Sequence, residues 1–346
     1  MDRRKLIAGA GVLFCSRAIA QWVPPSCYFM DYLPPAIQTA VANGTNTSDL
    51  APYLQAALSV SPKIKLPPYN MALNSTVFLN NFNTIEGLGQ VRNYAPKNGT
   101  CSNFIVAPGV TAFQLAYNTH GITTNVTLRN VGILGGLIGL NLTPPGASTQ
   151  YAATYIQVLD SYFGPSGSGG ACIQCSTAFE RCEFRNLGFG SGDYGFQMIN
   201  NGNASYNYFD KNLFESLDIT SNINGVNFQA ARVCNDNKFV KLNLNFCGHE
   251  GWYSECYFYG CTIENAYTES NSKASPGTYD DFYIGNKPYA SKIAFIGGAI
   301  GITSQERYSI NNVGSYITTS GTDWGLSAYD PTKNLQIFGG GGKVIT

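Results

Sequence analysis

The chain has 346 residues with 21 basic and 21 acidic side chains, and charged residues make up only 12% of it, about half the usual share of a soluble domain. That balance, with a pI near 6.7, excludes a polybasic nucleic-acid binder and an acidic disordered tail, since no net field exists to steer phosphate or an anionic membrane. Hydrophobic residues at 44%, with 38 Gly, 22 Tyr and 20 Phe, supply a large core from an all-β composition.

Residues 1–20 read as an export signal peptide. Met1-Asp2-Arg3-Arg4-Lys5 is followed by the apolar run Leu6 to Phe14 and by Ala18-Ile19-Ala20, a small-x-small cleavage site. Arg3-Arg4 resembles a twin-arginine signal more than a general secretory one. The run is too short to cross a ~30 Å hydrocarbon core and no later stretch reaches about 18 apolar residues, so no membrane span is expected and the mature chain is expected to be secreted or periplasmic. Cleavage removes Cys15 and leaves nine cysteines, an odd number that cannot all pair. Cys172, Cys175, Cys182, Cys234, Cys247, Cys256 and Cys261 lie among strand-like residues, where Cys behaves as a small buried hydrophobe. The lone C-x-x-C at Cys172 and Cys175 has no partner pair at zinc spacing, so no metal and no cofactor is expected. Sequons such as Asn74, Asn125 and Asn203 arise by chance in an Asn- and Thr-rich chain.

Residues 21–60 read as an N-terminal segment ending in a capping helix over Ala51 to Ser59, and residues 61–346 as one repetitive body. Within it an apolar residue, two variable positions, an apolar or small residue, one variable position and a further apolar or small residue recur. The pattern falls at Leu128-Val131-Ile133, Val158-Ser161-Phe163, Phe184-Leu187-Phe189, Phe214-Leu217-Ile219, Phe239-Leu242-Leu244, Ile263-Ala266-Thr268 and Phe295-Gly298-Ile300. Its starts are 30, 26, 30, 25, 24 and 32 residues apart. Gly195, Gly225 and Gly251 open the strands that follow. A unit of this size cannot bury its apolar face alone and must stack on copies of itself. Leucine-rich repeats and propeller blades fit neither the period nor the Asn-rich turns, which leaves a right-handed parallel β-helix. Asn130, Asn186 and Asn265 stand before bends, where Asn tolerates left-handed backbone.

The stretch Asp49 to Gly89, with Leu54-Gln55-Ala56-Ala57-Leu58, Ile64-Lys65-Leu66-Pro67-Pro68-Tyr69 and Ile85-Glu86-Gly87-Leu88-Gly89, resembles the opening of pectate-lyase-like β-helix proteins, with Pro68 in place of a usual Gly. Phe239 to Asn271 resembles the rungs of that superfamily, and of tailspikes in particular. The resemblance spans about residues 45 to 340 and implies a fold shared by polysaccharide lyases, glycoside hydrolases and glycan-binding tailspikes, not one chemistry.

Aligning the bends places Arg129, Leu159, Arg185, Glu215, Val240, Glu264 and Ile296 in one outward column. Glu215 and Glu264 are then one rung removed from adjacency, about 10 Å apart at the backbone, within side-chain reach of the ~6.5–9.5 Å spacing of an inverting glycosidase. Asp218, on the next outward position of the Glu215 rung, offers a nearer partner. Glu215, Asp218 and Glu264 are therefore the candidate catalytic residues. Lys241, Asn243, His249, Trp252, Tyr253 and Tyr267 are the candidate substrate contacts, since hydroxyls take hydrogen bonds and sugar rings stack on aromatics. The alternative is that these carboxylates form solvated ion pairs. Cys247-Gly248-His249-Glu250-Gly251 is similar to the Gly-His-Gly segment of polygalacturonases but is interrupted by Glu250, and that family's Asn-Thr-Asp and Arg-Ile-Lys motifs have no counterpart. Asp280 and Asp281 read as turn and strand-start residues. The expected function is binding and hydrolysis of a polysaccharide or cell-surface glycan. A pectate-lyase-like eliminase and a non-catalytic tailspike or adhesion protein are the alternatives. Gly339 to Gly342 close the chain without a trimerising domain, which favours a monomer over a trimer.

Overall fold

A computed structural model of the chain describes residues 27–89, 98–117, 121–143, 152–165, 167–175, 178–199, 208–229, 233–285, 291–301, 308–323, 336–339 and 343–345. The export segment, the Pro144–Tyr151 loop, Asn203 and Gly340 to Gly342 lie outside them. All strand pairs among the described residues are parallel, and they build three sheets whose longest paths hold 12, 10 and 6 strands. Successive strands of the chain visit the sheets in turn. Leu213–Ile219 lies in the first sheet, Asn224–Phe228 in the second and Val233–Asn235 in the third, after which Lys238–Asn245 returns to the first, one rung along. This is a parallel β-helix.

The repeated sequence pattern has a simple stereochemical cause. In a regular strand, residues three apart face opposite sides, yet Phe214 and Leu217 are both buried, at 2% exposure each. Ser216 between them has φ 56°, and this left-handed residue reverses the alternation. Asn130, Asp160, Asn186, Lys241 and Asn265 hold the same place on neighbouring rungs with φ of 54°, 52°, 55°, 54° and 54°. The three Asn expected to tolerate such backbone therefore adopt it. A second left-handed file, Asn125, Tyr155, Arg181, Lys211, Asp236 and Gly260, turns the chain from the third sheet into the first.

Inside, equivalent side chains stack along the axis. Phe184, Phe214 and Phe239 lie face to face at 4.9 and 4.8 Å, and Phe179 stacks on Phe209 at 5.3 Å. The corner before the first sheet carries a buried amide pair in which Asn212 donates to Asn237 Oδ1 at 2.9 Å and Asn237 donates to the Phe209 carbonyl at 2.6 Å. Such bonds satisfy the polar groups that a corner exposes to the core. Gly225 sits where a Cβ would lie 2.7 Å from the Gly251 carbonyl oxygen, so a side chain cannot be admitted there.

None of the nine cysteines among the described residues is in a disulfide, and eight of them are buried. Burial raises the Cys172, Cys175, Cys182 and Cys234 thiols and pushes Cys247 and Cys261 up to about 11, so they pack as apolar groups.

The helix Ala51–Val60 buries Ala51, Leu54, Ala57 and Leu58, and Asp49 fixes its start by accepting from the Ala51 and Asn74 N–H groups at 3.0 and 2.8 Å. A second helix, Pro35–Ala42, precedes it. The strand Cys27–Tyr28 pairs with Lys63–Lys65, so the coil draws its first strand from ahead of both helices. No helix among the described residues is long and apolar enough to cross a membrane.

Candidate functional site

The outward column read from the sequence forms in register: Arg129, Leu159, Arg185, Glu215, Val240, Glu264 and Ile296 are paired rung to rung. Its carboxylates are engaged by cations. Arg185 Nε lies 2.5 Å from Glu183 Oε1 and 3.2 Å from Glu215 Oε2, and Lys238 Nζ lies 2.9 Å from Glu264 Oε1. One turn along, Arg129 Nε stands 3.6 Å from Asp160 Oδ2, and Asn186 donates to Asp160 Oδ1 at 2.7 Å.

Two clefts meet at Ser216. The first, of about 480 Å³, is lined by Arg129, Asp160, Glu183, Arg185, Asn186 and Glu215, with Leu159 and Ser216. The second, of about 410 Å³, is lined by Leu187, Gly188, Ser216, Leu217, Asp218, Lys241 and Asn243. Glu215 and Asp218 thus line different clefts on either side of Ser216, rather than facing each other. Asp218, Asn243 and Tyr267 follow one another in register, and Lys241 holds the left-handed bend position with φ 54°. The Tyr267 hydroxyl donates to Glu269 Oε2 at 3.0 Å, and burial, together with that bond, raises its pKa.

Tyr267 and Glu264 lie on the first sheet but line neither cleft, and three further expected contacts lie off that sheet. Trp252 is fully buried among Phe228, Phe239 and Phe282 and reaches no surface ligand. Its position in the second sheet is an inward one, and Tyr253 is its outward neighbour. Tyr253 stacks on Tyr283 at 4.9 Å and donates to Glu255 at 3.0 Å. His249 stacks on Tyr279 at 3.9 Å on the connection between the first and second sheets, where burial lowers its pKa, and it lines neither cleft. Asp280 and Asp281 are fully buried; Asp281 accepts from Thr268 at 2.9 Å and Asn271 at 2.7 Å, and Asp280 from Asn311 at 2.9 Å.

The three sheets and their register together are those of a parallel β-helix. No family model and no curated protein matches the chain. Solved structures similar to it include a mutant DFA-IIIase of Arthrobacter chlorophenolicus in complex with DFA-III, at 11% identity and TM-score 0.46 over 86% of this chain and 84% of that one. A mannuronan C-5 epimerase A-module of Azotobacter vinelandii is similar at 12% identity and TM-score 0.43, over 91% and 99% of the two chains. A surface adhesin of Streptococcus pneumoniae is similar at 9% identity and TM-score 0.38, over 86% and 91%.

The β-helix also aligns residues that lie outside the first sheet's repeat. On the outward face of the third sheet, Glu180, Asp210, Asn235 and Tyr259 pair in register. Each stands four positions before the start of a bend motif, at Phe184, Phe214, Phe239 and Ile263, a fixed offset that the sequence carries. Asp210 accepts from the Asn235 N–H at 3.0 Å, yet burial, with Glu180 adding to it, leaves its pKa raised. Among the described residues no three His, Cys, Asp or Glu side chains gather as metal ligands.

Proposed function

We propose that this chain is an exported protein that binds a polysaccharide along the outward face of its first sheet. The observation that supports this is the pair of clefts meeting at Ser216, lined by acids, bases and amides from successive rungs. A sugar chain carries hydroxyls that both donate and accept, and Arg185, Glu215, Asp218, Lys241 and Asn243, spread over three successive rungs about 4.8 Å apart, offer both partners. Export is supported by the basic start, apolar run and small-x-small site of residues 1–20. In the test, the chain from Gln21 onward is run through gels containing neutral or uronic polysaccharides. Retardation by one polymer, reduced in Arg185→Ala and Lys241→Ala, is the expected result. Unretarded migration on every polymer overturns the binding reading.

Hydrolysis is a second reading, favoured by Asp210. A carboxyl raised by burial beside a second carboxylate is the arrangement that separates an acid from a base, and Glu180 is its register partner. Glu215 and Glu264 are instead ion-paired with Arg185 and Lys238. Reducing ends released without ultraviolet absorbance, lost in Asp210→Asn but kept in Glu215→Gln, are the expected signature. Loss in Glu215→Gln, Asp218→Asn or Glu264→Gln alone returns acid/base work to the first sheet, and growth of absorbance means elimination.

A further inference from the structure

A third and larger cleft, of about 700 Å³, lies at the corner where the third sheet passes into the first. Its floor is the outward file Thr262, Ala294 and Thr318, small side chains in register on three successive rungs. Its walls are Tyr259 and Tyr316, 48% and 50% exposed, and Lys292. Lys292 and Tyr316 are register partners, and the Lys292 ammonium stands 5.1 Å from the Tyr259 ring centroid. Among the described residues no acidic side chain lines the cleft, and the nearby Glu264 is bonded to Lys238.

These groups specify a ligand. Two half-exposed tyrosine rings, on rungs two steps and so about 10 Å apart, are platforms for the apolar faces of rings, and their hydroxyls leave the rims polar. The threonine hydroxyls of the floor match ring hydroxyls, whereas a wholly apolar guest would leave them and the ammonium unmatched. A cation that faces a cleft without an acidic neighbour asks for an anion from the ligand.

We propose that this cleft is a subsite for an acidic sugar ring, whose carboxylate or sulfate is met by Lys292 while Tyr259 and Tyr316 hold the ring faces. The inference deepens the polysaccharide reading and rests on it for the ligand's being a sugar, but it concerns a different cleft from the pair at Ser216. Thr262 and Thr318 take hydroxyls of the same ring or its neighbour.

Titration calorimetry tests it with an oligogalacturonide, the same oligomer methyl-esterified so that only its charge is lost, and a sulfated galactose oligomer. The acidic probes are expected to bind about tenfold more tightly than the esterified one. Lys292→Gln should abolish that preference, Lys292→Arg restore it, and Tyr316→Ala weaken every probe by about tenfold. Preference for the uronic or the sulfated oligomer tells which anion is meant. Lys292 and Tyr316 are exposed, and matching circular dichroism of the variants excludes misfolding. Equal affinity for charged and esterified oligomers, or acidic binding that survives Lys292→Gln, overturns the proposal. Polymer retardation lost in Arg185→Ala but untouched in Tyr316→Ala leaves the Ser216 clefts standing while this subsite falls. Binding of the acidic oligomers that depends on Lys292, with no retardation by any polymer, does the reverse.

Discussion

Phe214→Ala probes what ties one rung to the next. The ring is stacked on both faces, on Phe184 at 4.9 Å and 10° and on Phe239 at 4.8 Å and 14°, and its edge meets Phe196 at 5.3 Å. Truncating a buried Phe costs about 3–5 kcal/mol. The upper half of that range applies here, because the strand ladder fixes the rung spacing near 4.8 Å and the neighbours cannot close the gap. A loss of about 4 kcal/mol is nearly a thousandfold in the folding equilibrium. Guanidinium unfolding, followed as both midpoint and rate, is the assay, since a solenoid transmits stability mainly between neighbouring repeats. Phe214→Leu, which keeps most of the volume, should lose less than about 1.5 kcal/mol. Leu213→Ala, at a half-buried neighbouring position, should lose under about 1 kcal/mol. A loss in Phe214→Ala no larger than that of Leu213→Ala would falsify the claim that the aromatic file holds the coil together.

Gly225→Val drives a side chain into the Gly251 carbonyl and should lower stability by at least about 2 kcal/mol, read as a shifted denaturant midpoint. Asn186→Gly keeps the left-handed backbone and forfeits one hydrogen bond to Asp160, about 1 kcal/mol, while Asn186→Val should cost a further ~1–2 kcal/mol; equal midpoints for the two variants contradict the reversal argued for the bend. Burial alone would raise the Asp49 carboxyl, but bonds from the Ser75 hydroxyl and the Asn74, Ala51 and Ser75 N–H groups hold it below its ordinary 3.8. Its stabilisation is therefore complete above that value and fades as pH falls towards the depressed folded value. Asp49→Ala should cost about 1 kcal/mol at neutral pH, and its stability curve should converge on that of the parent in acid.

The first sheet was legible because its motif encodes the reversed alternation directly: once Phe184, Phe214 and Phe239 are aligned, Arg185, Glu215 and Val240 must share a face. The ion pairs were not, since Arg185 reaches Glu183 on its own strand and Glu215 on the next rung through rotamers that no spacing specifies. Trp252 was misplaced because an aromatic run, Trp252-Tyr253, alternates in and out, and only register with Val226 and Phe282 tells which is which. Glu180 and Asp210 escaped notice because the third sheet's strands are only three residues long, too short for a period to show. The strand Cys27–Tyr28 has two residues and announces itself only through its pairing with Ile64 and Lys65.

The buried thiols make unfolding a different event from its reverse. While the coil is closed, solvent and oxidants do not reach eight of the nine described cysteines. Once it opens in an oxidising medium, the freed thiols cross-link in pairings that the native core has no room for. The lifetime of the protein there is then set by how rarely the coil opens, and refolding in good yield requires a reductant.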